Sequence, residues 1–135
     1  MSDKPLTAAE AEQEFWNHLK ASNTGMLGLD QPGYHSQPMT AFREAETGTI
    51  WFFTRTDTDL ARDVAAGPQS AMFTYGSKDQ EVWACIHGTL SQSHDRARID
   101  EYWNPVVAAW YPDGKDDPHL TLLRFAADDG RIWLS

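Results

Sequence analysis

Cysteine is nearly absent. The chain holds one, Cys85, so no intrachain disulfide can staple the fold and stability has to come from a packed core. Its neighbours Val82, Trp83, Ala84 and Ile86 are apolar, which marks the thiol as buried and unreactive. No apolar run approaches the roughly 18 residues that a membrane-spanning helix needs. Met1 to Glu14 also lacks the basic-then-apolar order of an export signal, so the expected location is cytoplasmic. Basic residues are scarce: 11 Lys and Arg stand against 20 Asp and Glu, for a net charge of −9. Nucleic acid and membrane surfaces are therefore not expected partners. The usual catalytic signatures are missing too, with no GxSxG, GxGxxG, GxxxxGK or CxxC. The five histidines, His18, His35, His87, His94 and His119, show no metal-ligand spacing, so no metal site is expected. The acidic pairs Asp116-Asp117 and Asp128-Asp129 fall where turns are expected.

What is present is aromatic and globular. Of 135 residues, 41% are hydrophobic and 12% aromatic, enough to build a core in a single domain spanning residues 1–135. Thr7 and Glu10 stand in capping-box spacing ahead of Ala8, Ala11, Phe15 and Leu19, which predicts an amphipathic helix over Thr7 to Ser22. Met26 to Leu29 and a longer extended stretch, Tyr34 to Arg43, read as antiparallel strands about a Gln31-Pro32-Gly33 turn. Thr49 to Thr54 is the clearest strand and is expected to be buried on both faces. Asp57 or Thr58 can cap a short helix, Leu60 to Ala66, ended by Gly67-Pro68. Ser70 to Tyr75 and Glu81 to Leu90 predict a hairpin. Two short helices follow, joined near Asn104-Pro105. Leu120 to Ala126 and Ile132 to Leu134 flank Asp128-Asp129-Gly130, a strong hairpin signal. The pattern is α+β, an antiparallel sheet that closes into a barrel to remove its edges.

The segments His35 to Thr40 and Trp51 to Thr54, read as neighbouring strands, combine Met and aromatic side chains with hydroxyls and a helix start. A flat apolar slot beside an anion cradle suits a planar ring bearing a phosphate. Hydroxyl-capped helices after aromatic strands are also common in proteins that bind nothing. Gln37-Pro38-Met39-Thr40, Gly48-Thr49-Ile50-Trp51-Phe52-Phe53-Thr54, Trp103-Asn104-Pro105, Trp110-Tyr111-Pro112-Asp113-Gly114-Lys115-Asp116-Asp117-Pro118 and Leu122-Leu123-Arg124 run in order over nearly the whole chain. Together they resemble the general stress protein 26 branch of the pyridoxamine 5'-phosphate oxidase-like split barrels.

The resemblance implies a six-stranded antiparallel split β-barrel with flanking short helices, a homodimer, and one FMN per subunit in a groove shared by both chains. Gln37, Pro38, Met39 and Thr40 would lie along the isoalloxazine edge, and Phe52, Phe53 and Thr54 near the ring and ribityl chain. Arg55, Thr58 and Leu60 would lie near the phosphate. Trp103, Trp110 or Tyr111 of a partner subunit would cover the ring. Where the family usually carries Arg and Lys, this chain has Gln37 and Leu60, so the substitute cation is expected among Arg55, Arg62, Arg43 and Lys78, with Arg55 favoured because it directly follows the strand. Pyridoxine phosphate is disfavoured as substrate, because the C-terminal strand offers only Arg131-Ile132-Trp133-Leu134-Ser135. Deazaflavin, with its polyanionic tail, ranks below FMN. The implied activity is that of a flavin-dependent oxidoreductase. The alternatives are a non-catalytic protein that stores or senses flavin, and an empty barrel that acts as an interaction module.

Overall fold

The computed structural model describes residues 7–135. The capping box forms as the spacing predicts: the Thr7 hydroxyl accepts from the Glu10 amide at 3.1 Å, and the Glu10 carboxylate accepts from the Thr7 amide at 3.0 Å. It opens α1 (Ala8–Ala21), which buries Phe15, Trp16 and Leu19. The strands are β1 (Thr24–Leu29), β2 (Gln37–Thr40), β3 (Phe42–Glu44), β4 (Thr49–Arg55), β5 (Gln69–Gly76), β6 (Val82–Ser93) and β7 (Leu120–Leu134). The short helices are α2 (Asp59–Ala65), α3 (Arg96–Tyr102) and α4 (Pro105–Ala108).

All seven strands form one sheet in the order β2-β1-β5-β6-β7-β4-β3, with antiparallel pairing throughout. This is the expected α+β architecture, a curled antiparallel sheet of split-barrel type, with seven strands rather than six. The extra strand comes from the Tyr34 to Arg43 stretch, which is not one strand. Its first part pairs with β1, with Pro38 tolerated because β2 is an edge strand that need not donate there. After Ala41 the chain changes partner and pairs with β4 as β3. Accordingly Gln37 to Thr40 and Trp51 to Thr54 do not lie on paired strands. They belong to opposite sides of the sheet order, which the single residue Ala41 joins by linking β2 to β3. Ala41 is 1% exposed, and its amide donates to the Asn23 carbonyl at 2.7 Å. Two edges one residue apart force the sheet to curl until they meet.

The barrel interior holds Leu27, Ile50, Phe52, Phe73, Leu90, Leu123 and Phe125, all at 0% exposure, with α1 and the Leu60 and Val64 side chains of α2 packed against it. A second cluster of Trp51, Ile99 and Leu122 forms on the other face of β4, beneath α3. Alternate residues of β4 therefore serve two cores, which confirms its burial on both faces.

The Asp128-Asp129-Gly130 hairpin does not form. β7 runs unbroken past it, paired with β6 from Ser93 to Val82, and Asp128 is accommodated as a bulge opposite the His87/Gly88 step. A partner strand 12 residues long offers a continuous ladder that outweighs a local turn preference. Cys85 is half-buried on the outer face, its sulfur 3.3 Å from that of Met72, rather than sealed in the core. Outward and inward residues alternate strictly along this part of β6, and apolar neighbours in sequence do not reveal which face a residue takes.

Gly88 is the point where the bulge and the core meet: a Cβ there would run into the Ala126 carbonyl oxygen and the Phe125 ring. Gly88→Ala is expected to lower stability by about 1–3 kcal/mol, read as a fall in the urea midpoint at fixed protein concentration. An unchanged midpoint would mean that the bulge relaxes freely.

Candidate functional site

Where the two sheet edges meet, the structure leaves a cavity of about 700 Å³. One wall is the edge segment Pro38, Met39, Thr40 and Phe42. The floor is the end of β4, with Phe53, Thr54 and Arg55, and the N-cap Thr58 of α2. The opposite wall is α4 with Trp110 and Tyr111. Each wall has a local cause. Asn104 caps α4 by accepting from the Val106 and Val107 amides at 2.9 and 3.0 Å, with Pro105 at the first helical position. The wall is anchored upstream by α3: the Tyr102 hydroxyl donates to the Arg43 carbonyl at 3.0 Å, and Arg98 pairs with the Glu44 carboxylate at 2.6 Å. That carboxylate also accepts from the Trp51 indole at 3.2 Å. Burial, with Glu101 and Glu44 nearby, pushes the Tyr102 phenol up to about 12, so it stays a donor.

Polar groups collect at the β4–α2 end. The Thr58 hydroxyl is already used, accepting from the Ala61 amide at 3.2 Å and donating to the Arg55 carbonyl at 3.0 Å. Thr54 carries the less committed hydroxyl, 3.4 Å from that of Thr58. The Arg55 guanidinium is held by both Asp57 carboxylate oxygens, at 3.2 and 3.1 Å. A ligand anion would therefore share Arg55 with Asp57 rather than find it free. Tyr111 closes the inner end at 4% exposure, and burial, the Arg55 charge and Asp117 together set its phenol at about 12. The loop behind it is organised by Asp117, which accepts from the His119 amide at 2.9 Å and the Asp113 amide at 3.2 Å. Those bonds, against a smaller burial effect, hold the Asp117 carboxyl below its usual range.

The structure brings together Pro38, Met39, Thr40, Phe53, Thr54, Arg55, Thr58, Trp110 and Tyr111 of the expected site residues. It places the others elsewhere. Phe52 points into the barrel, and Leu60 is 1% exposed in the same core. A lysine at position 60 would thus meet apolar side chains rather than a phosphate. Gln37 is half-buried at the start of β2 with its amide 3.8 Å from the Met39 sulfur, outside the cavity lining. Trp103 backs the wall, its ring 6.0 Å from Phe53 and 6.1 Å from Tyr111. Trp110 and Tyr111 line the cavity of their own chain. Phe42, Asn23, Val106 and Val107 also line it, although the sequence pattern does not single them out. Phe42 is hidden by the partner change at Ala41, and no local signal marks Asn23.

The family model described as "Pyridoxamine 5'-phosphate oxidase like" matches residues 10–135. General stress protein 26 of Bacillus subtilis is 25% identical over 130 residues, covering 94% of this chain and 91% of that protein. Among solved structures, the general stress FMN/FAD binding protein of Xanthomonas citri is 42% identical with a TM-score of 0.85, covering 94% of this chain and 90% of that one. A structure assigned to general stress protein 26, from Jannaschia sp. CCS1, is 38% identical with a TM-score of 0.88, covering 96% and 81%.

The Asp117 carboxylate is held below its ordinary pKa in the folded state, so its contribution is full above the unfolded value of about 4 and fades as pH falls through the folded value. Stability of the wild-type chain is expected to decline on acidification below about pH 4, with Asp117→Asn less stable at neutral pH and shallower in that decline. Thermal melts across a range from about pH 2 to about pH 7 check this; parallel curves for the two proteins would mean that Asp117 does not carry the acid sensitivity.

Proposed function

Because the chain belongs to the pyridoxamine 5'-phosphate oxidase-like family, we propose that it is a stress protein that binds FMN in the seam cavity, at a homodimer interface, and works as a flavin-dependent oxidoreductase. The observation that carries this reading is the cavity: about 700 Å³, within the range of small-molecule sites, with apolar walls and the Arg55 guanidinium at one end. The Xanthomonas citri relative, described as an FMN/FAD binding protein, supports the ligand class. FMN is favoured over FAD because Arg55, already shared with Asp57, suits one phosphate better than a diphosphate. The residues present fit the group: Pro38, Met39, Phe42 and Phe53 offer a flat apolar bed, and the Thr54 hydroxyl and Arg55 face the polar tail.

Bound flavin supplies one- and two-electron transfer through its ring. The chain's own residues orient it, exclude water and supply a fixed field. The Tyr111 phenol keeps its proton near neutrality. The homodimer is supported by the cavity's open rim, where Val106 and Trp110 are 75% and 69% exposed. A second copy over that rim would bury them and complete the enclosure. One observation favours the storage or sensing reading instead: among the described residues lining the cavity, Arg55 and Tyr111 are the only ionisable ones, and neither changes charge near neutral pH.

Protein purified without added cofactor is expected to carry the visible absorbance of flavin and to be bleached anaerobically by a nicotinamide donor. Bleaching that fails would leave storage or sensing. A colourless protein that also ignores added FMN would overturn the flavin reading. Arg55→Ala is expected to weaken FMN by roughly threefold to tenfold, about half the value of a well-formed charged hydrogen bond, and to leave riboflavin unaffected; equal losses would move the phosphate elsewhere. Added FMN should also oppose dissociation on dilution, and a monomer in sedimentation with FMN still bound would refute the shared site.

A further inference from the structure

Away from the cavity, His18 on α1 faces the turn between β5 and β6. Its Nε2 lies 3.3 Å from Asp79 Oδ2 and 3.8 Å from Glu81 Oε2, and the three ligand atoms stand within 4.8 Å of one another. The other ring nitrogen is committed: Nδ1 is 2.9 Å from the Glu14 carbonyl oxygen, which can only accept. Nδ1 therefore carries a proton, and when the ring is neutral its Nε2 lone pair faces two carboxylates. Acceptors facing one another in this way repel unless something positive sits among them.

Two features point to a cation. Bonds of about 2.0–2.1 Å to tetrahedral zinc place neighbouring ligand atoms about 3.3 Å apart, which is the observed Nε2–Oδ2 separation. A backbone carbonyl on the far ring nitrogen is also the outer partner that fixes the tautomer of metal-bound histidines. The Asp79 carboxylate is held in a matching orientation. Its Oδ1 accepts from the Ser77 hydroxyl and the Glu81 amide, which leaves Oδ2 free to face His18. The turn is tied to α1 independently, by the Lys78 amide to the Ser22 hydroxyl at 3.1 Å and the Tyr75 hydroxyl to the Ser22 carbonyl. A hollow lined by Asn17, His18, Ala21 and Lys78 leaves space for a water as fourth ligand.

We propose that His18, Asp79 and Glu81 bind a divalent transition metal of the zinc type, fastening the end of α1 to the β5–β6 turn. The spacing along the chain hides this site, because its histidine and its carboxylates come from distant segments. A proton competes for Nε2. Metal affinity therefore rises with pH as that proton is displaced.

Zinc titrated into the whole protein at about pH 7.5, followed by calorimetry and thermal melting, is expected to bind one ion per chain. At about hundredfold excess over its dissociation constant it should raise the melting temperature by roughly 5–10 °C, reversed by a chelator. Cobalt in its place should give a tetrahedral absorption spectrum. His18→Gln and the exposed Glu81→Gln should each weaken binding at least about tenfold, while His87→Gln, at a histidine beside a single carboxylate away from this turn, should not. Each melting shift is read against that variant's own metal-free value, so a less stable fold does not blur the comparison. No zinc binding, or binding unchanged in both site variants, would overturn the proposal.

Discussion

The fold depends on one residue of chain between two strand edges. β2 and β3 lie at opposite ends of the sheet, yet Ala41 alone separates them. A flat sheet of seven strands would hold those ends far apart, since neighbouring strands stand about 4.8 Å from each other. The covalent link is satisfied only by curling. Ala41 suits the crossing: it is small and buried, and its amide is paired with the Asn23 carbonyl, so the partner change leaves no orphan donor.

The cavity follows from that crossing. Where the edges approach, β2 has paired with β1 and β3 with β4, so no ladder fills the seam between Met39 and Phe53. α4 and the Trp110–Tyr111 segment cover it from outside, held by Asn104, Arg98–Glu44 and the Tyr102 hydroxyl. A seam closed by covalent connection and by helices, rather than by strand pairing, leaves apolar side chains facing one another with space between. The polar end arises because β4 stops there and α2 begins, which brings the Thr54 hydroxyl, the Thr58 cap and the Arg55–Asp57 pair to one place.

The parts legible in the sequence are those governed by local rules. Thr7 and Glu10 announce α1, Thr49 to Thr54 announce a strand buried on both faces, and Asn104-Pro105 announces a short helix. The parts that are not legible are those decided by pairing at a distance. Nothing local says that a strand-like stretch changes partner at Ala41, or that the long β6 will override an Asp-Gly turn. The site divides in the same way. Met39, Phe53 and Arg55 can be found because motif order places them on converging elements. Leu60 and Phe52 are misplaced by the same reasoning: Phe53 and Thr58 line the cavity, while Phe52 takes the other face of β4 and Leu60 the buried face of α2, and both enter the core. Face assignment is a matter of register, and register is set by the partner strand.

That the cavity at the seam is the ligand site is the central claim, and backbone hydrogen exchange with and without FMN tests it most directly. Bound FMN is expected to slow exchange at Met39 to Phe42, Thr54 to Thr58 and Val106 to Tyr111, three segments distant in sequence that meet only around this cavity. Protection confined to other surfaces, such as the outer strand face bearing the exposed Trp83 and Trp133, or no protection at these three segments, would contradict it.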